Sequence, residues 1–154
     1  MAAPSLSLHG VDIAVPAGWE AEIGWAGETA PSGYSSPPRI LAHLANFILP
    51  TVRGDYGSGA VEHLDANAIF VALLEFAPTS PGGVFSASGL PRRLRGGDFS
   101  PQALQRRLPG QAGLQRFLTV GERRFVLYVV IGSYRLRDLL APEASRALRS
   151  ITIG

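Results

Sequence analysis

The chain of 154 residues contains no cysteine and no lysine. The missing thiol excludes disulfides, thiolate nucleophiles and cysteine-ligated zinc or iron–sulfur sites within this chain. The missing amine excludes a P-loop lysine, a Schiff base and a lysine general base. All 14 basic residues are arginines, which bind anions but do not release protons in proteins. A composition with arginine but no lysine, and with abundant alanine, glycine and proline, is also typical of proteins from high-GC bacteria.

Long apolar runs are missing as well. The longest run, residues 125–131, is far shorter than the roughly 20 residues that a membrane-spanning helix needs. Residues 1–6 have neither the basic start nor the apolar stretch of a signal peptide. We therefore expect a cytoplasmic protein without membrane insertion.

The composition is that of a globular protein, with 46% hydrophobic and 17% charged residues. It excludes a disordered chain, a collagen and a disulfide scaffold. We predict a single domain over residues 1–154. We also predict a flexible loop near residues 26–38, because three prolines and small residues there offer little to bury.

Charge is divided along the chain. Residues 1–90 hold eight acids and two arginines, a net charge of −6, whereas residues 91–154 hold twelve arginines and four acids, a net charge of +8. Such a division is explained either by an anionic partner for the second half or by two halves that interleave and neutralise each other.

Hydrophobic alternation predicts most of the strands. Residues 8–15 and 19–25 alternate, which predicts two antiparallel strands, with Trp19 and Trp25 on a buried face or anchoring an interface. Residues 39–49 and 68–76 are apolar on both faces, which predicts central strands. Residues 114–120 and 125–131 flank a turn at residues 121–124 and predict a hairpin.

Two helices are predicted from capping and periodicity. Ser100 before Pro101 is typical of a helix start, and Pro109-Gly110 would end that helix. Residues 142–150 carry an apolar stripe that also includes Ile151, which predicts an amphipathic C-terminal helix. The predicted fold is therefore α+β, a largely antiparallel sheet with helices packed on it.

Two short stretches carry a family resemblance. Residues 11–19, Val-Asp-Ile-Ala-Val-Pro-Ala-Gly-Trp, resemble the opening of Mog1/PsbP-like domains, where an early strand ends in a Pro-x-Gly-Trp turn. Residues 144–151 are similar to the final helix of that group. The resemblance implies an α/β/α sandwich that serves in binding or assembly and not in catalysis.

The three histidines, His9, His43 and His63, are the side chains whose ordinary pKa lies near neutrality. No pair has the spacing of a metal motif. A metal cluster would have to combine His63 with Glu62, Asp65 and Asp55. We favour an exposed loop for these residues and predict no metal and no cofactor.

His43 lies in an apolar run, from which it could face Glu75 across the sheet. The two would form either a buried pair or, together with Tyr128, the lining of a pocket for a small ligand or substrate. The glycine-rich residues 54–59 would form either a phosphate cradle or a tight turn. We favour the turn, because the lysine and helix of a P-loop are missing, and Ser58 lacks the pattern of a nucleophile elbow.

Positive charge is densest at Arg92, Arg93, Arg95, Arg106, Arg107 and Arg116. This arginine-rich region has three interpretations. It is a solvated face, a contact with another protein, or a nucleic-acid surface on which Phe99 or Phe117 stacks on bases. Our first hypothesis is a non-catalytic interaction or assembly module, part of a larger complex. It binds an acidic protein surface through Arg92, Arg93, Arg95, Arg106 and Arg107. A small-ligand protein or enzyme is the alternative, and a nucleic-acid binder is third.

Overall fold

The computed structural model describes residues 4–26, 39–77 and 83–154. The predicted loop at 26–38 lies outside these residues except for Ala26. The regular elements in chain order are β1 (Ser5–Leu8), β2 (Val11–Ala14), β3 (Glu20–Trp25), β4 (Ile40–Ala45), β5 (Ile69–Phe76), β6 (Ala87–Ser88), β7 (Ala112–Val120), β8 (Arg123–Ile131), α1 (Arg137–Arg149) and β9 (Ile151–Ile153). Short 3₁₀ helices lie at Val61–His63, Gly83–Phe85, Gly96–Asp98, Pro101–Ala103 and Tyr134–Leu136.

The strands form two sheets. The larger has the order β3-β4-β5-β8-β7-β6, and the smaller has the order β1-β2-β9. All pairs are antiparallel except β6 with β7. The α+β class is therefore confirmed. Strands from the acidic and the arginine-rich halves are neighbours in both sheets, so the two halves interleave.

Apolar side chains fill both faces of the larger sheet. On its first face, α1 and the smaller sheet cover the main core, which includes Ile40, Val71 and Val129. On its second face, the segment between β4 and β5 covers a smaller core around Phe70 and Tyr128. The central position of β4 and β5 is confirmed, and it follows from their apolar residues on both faces.

The predicted strand over residues 8–15 is wrong in its extent. His9 and Gly10 have φ values of 47° and 79° and join β1 to β2 as a two-residue turn. The buried face of the alternation, Val11, Ile13 and Val15, is confirmed.

The predicted pairing of residues 19–25 with that strand is also wrong. Both edges of β2 are occupied, by β1 and β9, and β3 pairs with β4 in the other sheet. Trp19 is buried, at 7% exposure, but Trp25 at the end of β3 is 53% exposed and contacts the edge of the His9 ring. Trp25 is therefore no core residue.

The predicted helix at residues 100–108 is wrong as well. Ser100 does cap a helix, since its hydroxyl accepts from the Gln102 N–H at 3.2 Å, but the helix is the single 3₁₀ turn Pro101–Ala103. The backbone of Ser100 instead exchanges two hydrogen bonds with Gly113 of β7. These bonds hold the chain extended where an α-helix would have to begin.

The C-terminal predictions hold with shifted boundaries. The hairpin of β7 and β8 is confirmed, although its turn consists only of Gly121 and Glu122. The helix is confirmed as α1, which begins five residues earlier than predicted, at Arg137. Ile151 does not extend the helix, because it starts β9 and pairs with Ile13.

Candidate functional site

The predicted pocket of His43, Glu75 and Tyr128 is not assembled. His43 lies opposite Ala72, and Ala72 lies opposite Tyr128, so the first and third residues share the second face of the sheet. Glu75 is three residues beyond Ala72 along β5. Because side chains alternate between faces, Glu75 points to the opposite face, and a His43–Glu75 pair is excluded.

Glu75 belongs to a buried ion pair. Its carboxylate accepts from Arg123 Nε at 2.8 Å and Nη2 at 3.0 Å, and also from the backbone N–H of Ile40 at 3.1 Å. Arg123 Nη1 donates in addition to the carbonyl of His9 at 2.7 Å. The pair thus ties the larger sheet to the turn of the smaller one, which is a structural role.

Tyr128 is enclosed on the second face. Its hydroxyl accepts from the backbone N–H of Gln105 at 2.8 Å, and its ring meets the Tyr56 ring edge-on. Burial raises the pKa of Tyr128 above its ordinary value of 10.0, although the Gln105 hydrogen bond opposes this shift. The phenol therefore stays protonated and packed.

His43 is held at both ring nitrogens. Nε2 lies 2.8 Å from the carbonyl oxygen of Asp55, which can only accept, and Nδ1 accepts from Arg53 Nε at 2.9 Å. This arrangement needs a neutral ring with its proton on Nε2. Burial lowers the pKa of His43 below 6.5, with a smaller lowering contribution from Arg53.

Arg53 extends this network to the surface. It donates to the carbonyl of Pro50 and forms an ion pair with the exposed Glu22 at 3.3 Å. A cavity of about 160 Å³ lies beside His43 and Arg53. Since both ring nitrogens of His43 are occupied, the histidine has no free lone pair or proton for a reaction in that cavity.

The other sequence candidates form local turn structure. Glu62 accepts from the backbone N–H of Gly59 at 2.7 Å. Within residues 54–60 the N–H groups of Gly54, Gly57 and Ala60 bond to carbonyls of the same loop, so these amides do not cradle a phosphate. Across residues 4–26, 39–77 and 83–154, no three histidine or acidic side chains lie close enough to hold a metal ion.

The predicted arginine surface is divided by the sheet edge. Leu94 and Phe99 belong to the first-face core, Leu104 packs on the second-face core, and Ser100 between them pairs with β7. Arg92, Arg93 and Arg95 therefore lie beside α1, whereas Arg107, which follows Arg106, lines a different cavity. The predicted patch at 92–107 is thus two separate groups.

Arg92 caps the C-terminal end of α1. Its Nη1 donates to the carbonyls of Leu148 at 2.9 Å and Ile151 at 2.6 Å. The Leu148 carbonyl lies in the last turn of α1, at the negative end of the helix dipole, where a cation is favoured, and Ile151 follows at the start of β9. The guanidinium of Arg92 is accordingly committed to the fold.

Arg93 and Arg95 line a concave surface beside α1. This cavity has a volume of about 370 Å³, and Arg149 and Asp138 from the helix also line it. Among the described residues, Arg93, Arg95 and Arg149 form no ion pair, in contrast to Arg53, Arg116, Arg123 and Arg146. We call Arg93, Arg95 and Arg149 the α1 arginine cluster.

Sequence reasoning did not assign Arg149 to this cluster. Arg149 lies in the last turn of α1, where a cation is favoured by the helix dipole whether or not it binds a partner. Gly96 brings the 93–96 segment against the helix, since a Cβ there would lie 1.9 Å from Asp138 Oδ1. That close approach depends on residues 42 positions apart, and the local sequence carries no signal for it.

The aromatic candidates for nucleic-acid stacking are not free. Phe99 is buried in the main core. Phe117 is half-buried among Phe76 and Phe85, with ring centroids 6.2 Å and 5.5 Å away. Phe99 therefore has no open face for base stacking, and Phe117 packs within a cluster of aromatic rings.

No protein-family model matches this chain, and neither a curated protein nor a solved structure shows significant similarity to it. None of the helices in the described part of the chain has the length and apolar character needed to cross a bilayer.

Proposed function

We propose that this protein is a non-catalytic binding module, which recognises an acidic protein surface through the α1 arginine cluster. One observation carries the proposal. Three exposed arginines line one concave surface, and none of them has an ion-pair partner among the described residues. Guanidinium forks of this kind suit carboxylates, to which they donate two parallel hydrogen bonds.

The backbone below the cluster is well anchored. The Leu94 N–H donates to Ser145 Oγ at 2.7 Å, and Arg149 Nη1 donates to the carbonyl of Arg92 at 3.2 Å. A rigid scaffold lowers the entropy cost of ordering long side chains on binding. Asp138 shares the surface, so three arginines act against one acid, and the net attraction is for anions.

The contacts of the two buried residues that could serve in acid–base chemistry support a binding role over a catalytic one. His43 has both ring nitrogens occupied, and Glu75 is paired with Arg123. The resemblance to Mog1/PsbP-like domains favours the same conclusion, since members of that group serve mainly in binding or assembly. We extend the proposal to that fold family, to a place in a larger complex and to a cytoplasmic location.

Two charge-matched double variants test the proposal. Binding of a fluorescein-labelled decaglutamate peptide is followed by fluorescence anisotropy. We expect Arg93→Ala/Arg95→Ala to weaken binding about tenfold, because exposed ion pairs contribute about 0.2–1 kcal/mol each. Arg106→Ala/Arg107→Ala removes the same charge outside the α1 arginine cluster and should change the affinity by less than about twofold.

Salt dependence tests whether charge carries the binding, and two further results separate the alternatives. Peptide affinity should fall between about 50 mM and about 300 mM salt, since exposed charges are screened over about 10 Å at 0.1 M. Equal loss in both double variants would refute a localised site. Tighter binding of a single-stranded oligothymidylate, lost in the same Arg93→Ala/Arg95→Ala variant, would instead assign the cluster to nucleic acid.

A further inference from the structure

A cavity larger than the one beside α1 lies away from the α1 arginine cluster. It has a volume of about 520 Å³ and is formed by residues 107–111, Pro101 and the segment Tyr134-Arg135. The β7 strand begins and the β8 strand has just ended at this place. Its volume lies within the range of about 300–1,000 Å³ that is usual for small-molecule sites.

The walls of this cavity are fixed by backbone hydrogen bonds. Leu108-Pro109-Gly110-Gln111 is a tight turn, closed by the Gln111 N–H to the Leu108 carbonyl at 3.2 Å, with Gly110 at φ 81°. Proline followed by a glycine of positive φ is typical of a type II turn. The Tyr134 N–H donates to the Gly110 carbonyl at 2.7 Å, which joins the turn to the opposite wall.

The Tyr134 ring is also held in place. The Arg137 guanidinium lies 4.2 Å from the ring centroid and donates to the Tyr134 carbonyl at 2.9 Å. Together with Pro101, Leu108 and Pro109, this ring gives the cavity an apolar lining. A flat, apolar ligand body suits such a lining.

Gln111 supplies an unsatisfied acceptor in this lining. The residue is 6% exposed, and its Nε2 donates to the carbonyl of Val61 at 2.7 Å. That bond fixes the orientation of the amide, because a carbonyl can only accept. Its Oε1 is buried and has no hydrogen-bond partner. Buried polar atoms are nearly always paired, so a ligand donor that reaches this atom would satisfy it.

Arg107 and Arg135 supply the charge. Both side chains line the cavity, and neither forms an ion pair within the described residues. An anionic group of the ligand would pair with them. We infer that this cavity binds a small aromatic carboxylate that carries a hydroxyl or N–H donor: the carboxylate on Arg107 and Arg135, the ring on the apolar lining, and the donor on Gln111 Oε1.

Three related probes test each contact without changing the protein. The first, 6-hydroxy-2-naphthoate, has all three features; 2-naphthoate lacks the donor, and 2-naphthol lacks the carboxylate. We expect saturable binding of the first by calorimetry, with one site per chain. Each simpler probe should bind at least about fivefold more weakly, since one charge-assisted or buried hydrogen bond is worth about that factor or more.

Charge-matched variants then locate the site. Arg107→Ala/Arg135→Ala should weaken 6-hydroxy-2-naphthoate binding about tenfold or more, whereas Arg93→Ala/Arg95→Ala should leave it unchanged. Absence of saturable binding, equal affinity for 2-naphthol, or equal loss in both double variants would overturn the inference. The decaglutamate assay depends on the other arginine pair, so failure of this site and failure of the proposed function are distinguishable.

Discussion

Arg53 donates a hydrogen bond from Nε to Nδ1 of His43 over 2.9 Å, below the second face of the larger sheet. The bond requires an uncharged imidazole, because a protonated ring has no lone pair to accept it. His43 also meets the Asp55 carbonyl, and Glu22 lies behind Arg53. Three charged groups act on the pKa of His43: Arg53 lowers it, and the carboxylates of Asp55 and Glu22 raise it, all to a smaller extent than burial.

This network predicts a loss of stability in mild acid. Burial lowers the pKa of His43 in the folded state below 6.5, so the unfolded chain takes up a proton first as the pH falls. The contribution is present above about pH 6.5 and is lost below it. The free energy of unfolding, measured by urea titration from about pH 7 to about pH 5, should fall. His43→Gln should flatten this profile, whereas His63→Gln, at an exposed position of the 3₁₀ helix Val61–His63, should leave it unchanged. Equal profiles for both variants would contradict the account.

The Glu75–Arg123 pair predicts a strong energetic coupling. Arg123→Met should lower the free energy of unfolding by about 3 kcal/mol, because it leaves the buried Glu75 carboxylate without its partner. The double variant Glu75→Gln/Arg123→Met should cost less than the sum of the two single changes. A double-mutant cycle in urea measures the difference. Additive effects would show that the two side chains are not coupled.

Two adjacent arginines should differ sharply in their effect on stability. Arg92→Ala removes both hydrogen bonds to the carbonyls at the end of α1 and should cost about 1–3 kcal/mol. Arg93→Ala removes an exposed side chain without such bonds and should cost less than about 0.5 kcal/mol. Thermal and urea unfolding of the two variants check this. A destabilised Arg93→Ala would mean that this residue serves the fold and not a partner.

Gly57 and Gly18 form a matched pair of glycines. Both have positive φ, 89° and 80°, but a Cβ on Gly57 would lie 2.5 Å from the Phe70 ring, whereas nothing lies within 4 Å of one on Gly18. Gly18→Ala should cost about 1 kcal/mol through backbone strain alone. Gly57→Ala should cost about 3 kcal/mol, because the buried ring has to move. Equal costs would contradict the close packing of this loop on the sheet.

The sequence was sufficient to predict those features of the fold that depend on residues close together along the chain. Alternation identified the buried face of β2, and continuous apolar runs identified β4 and β5 as central. The Ser100 cap was also real, but a cap is satisfied by one 3₁₀ turn as well as by an α-helix. The pairing of Ser100 with Gly113 decided between them, and that contact is not local.

The candidate site depended on contacts that are distant in sequence. Arg92 and Arg93 are adjacent and chemically identical, yet one caps α1 across 56 residues and the other faces solvent. Likewise, continuous apolar runs placed His43 and Glu75 in central strands, but the register between β4 and β5 decided that they lie on opposite faces. The density of positive charge in the sequence therefore indicated the arginine-rich region. Only the fold shows which of its arginines serve the structure and which are exposed.

The most direct test of the account is an amide chemical-shift map of the protein titrated with decaglutamate. The account predicts that the shifts concentrate at residues 93–96 and along residues 138–149, and that they saturate with the affinity measured by anisotropy. Shifts that concentrate at residues 105–111, or that spread evenly over all exposed arginines, would contradict a binding surface beside α1.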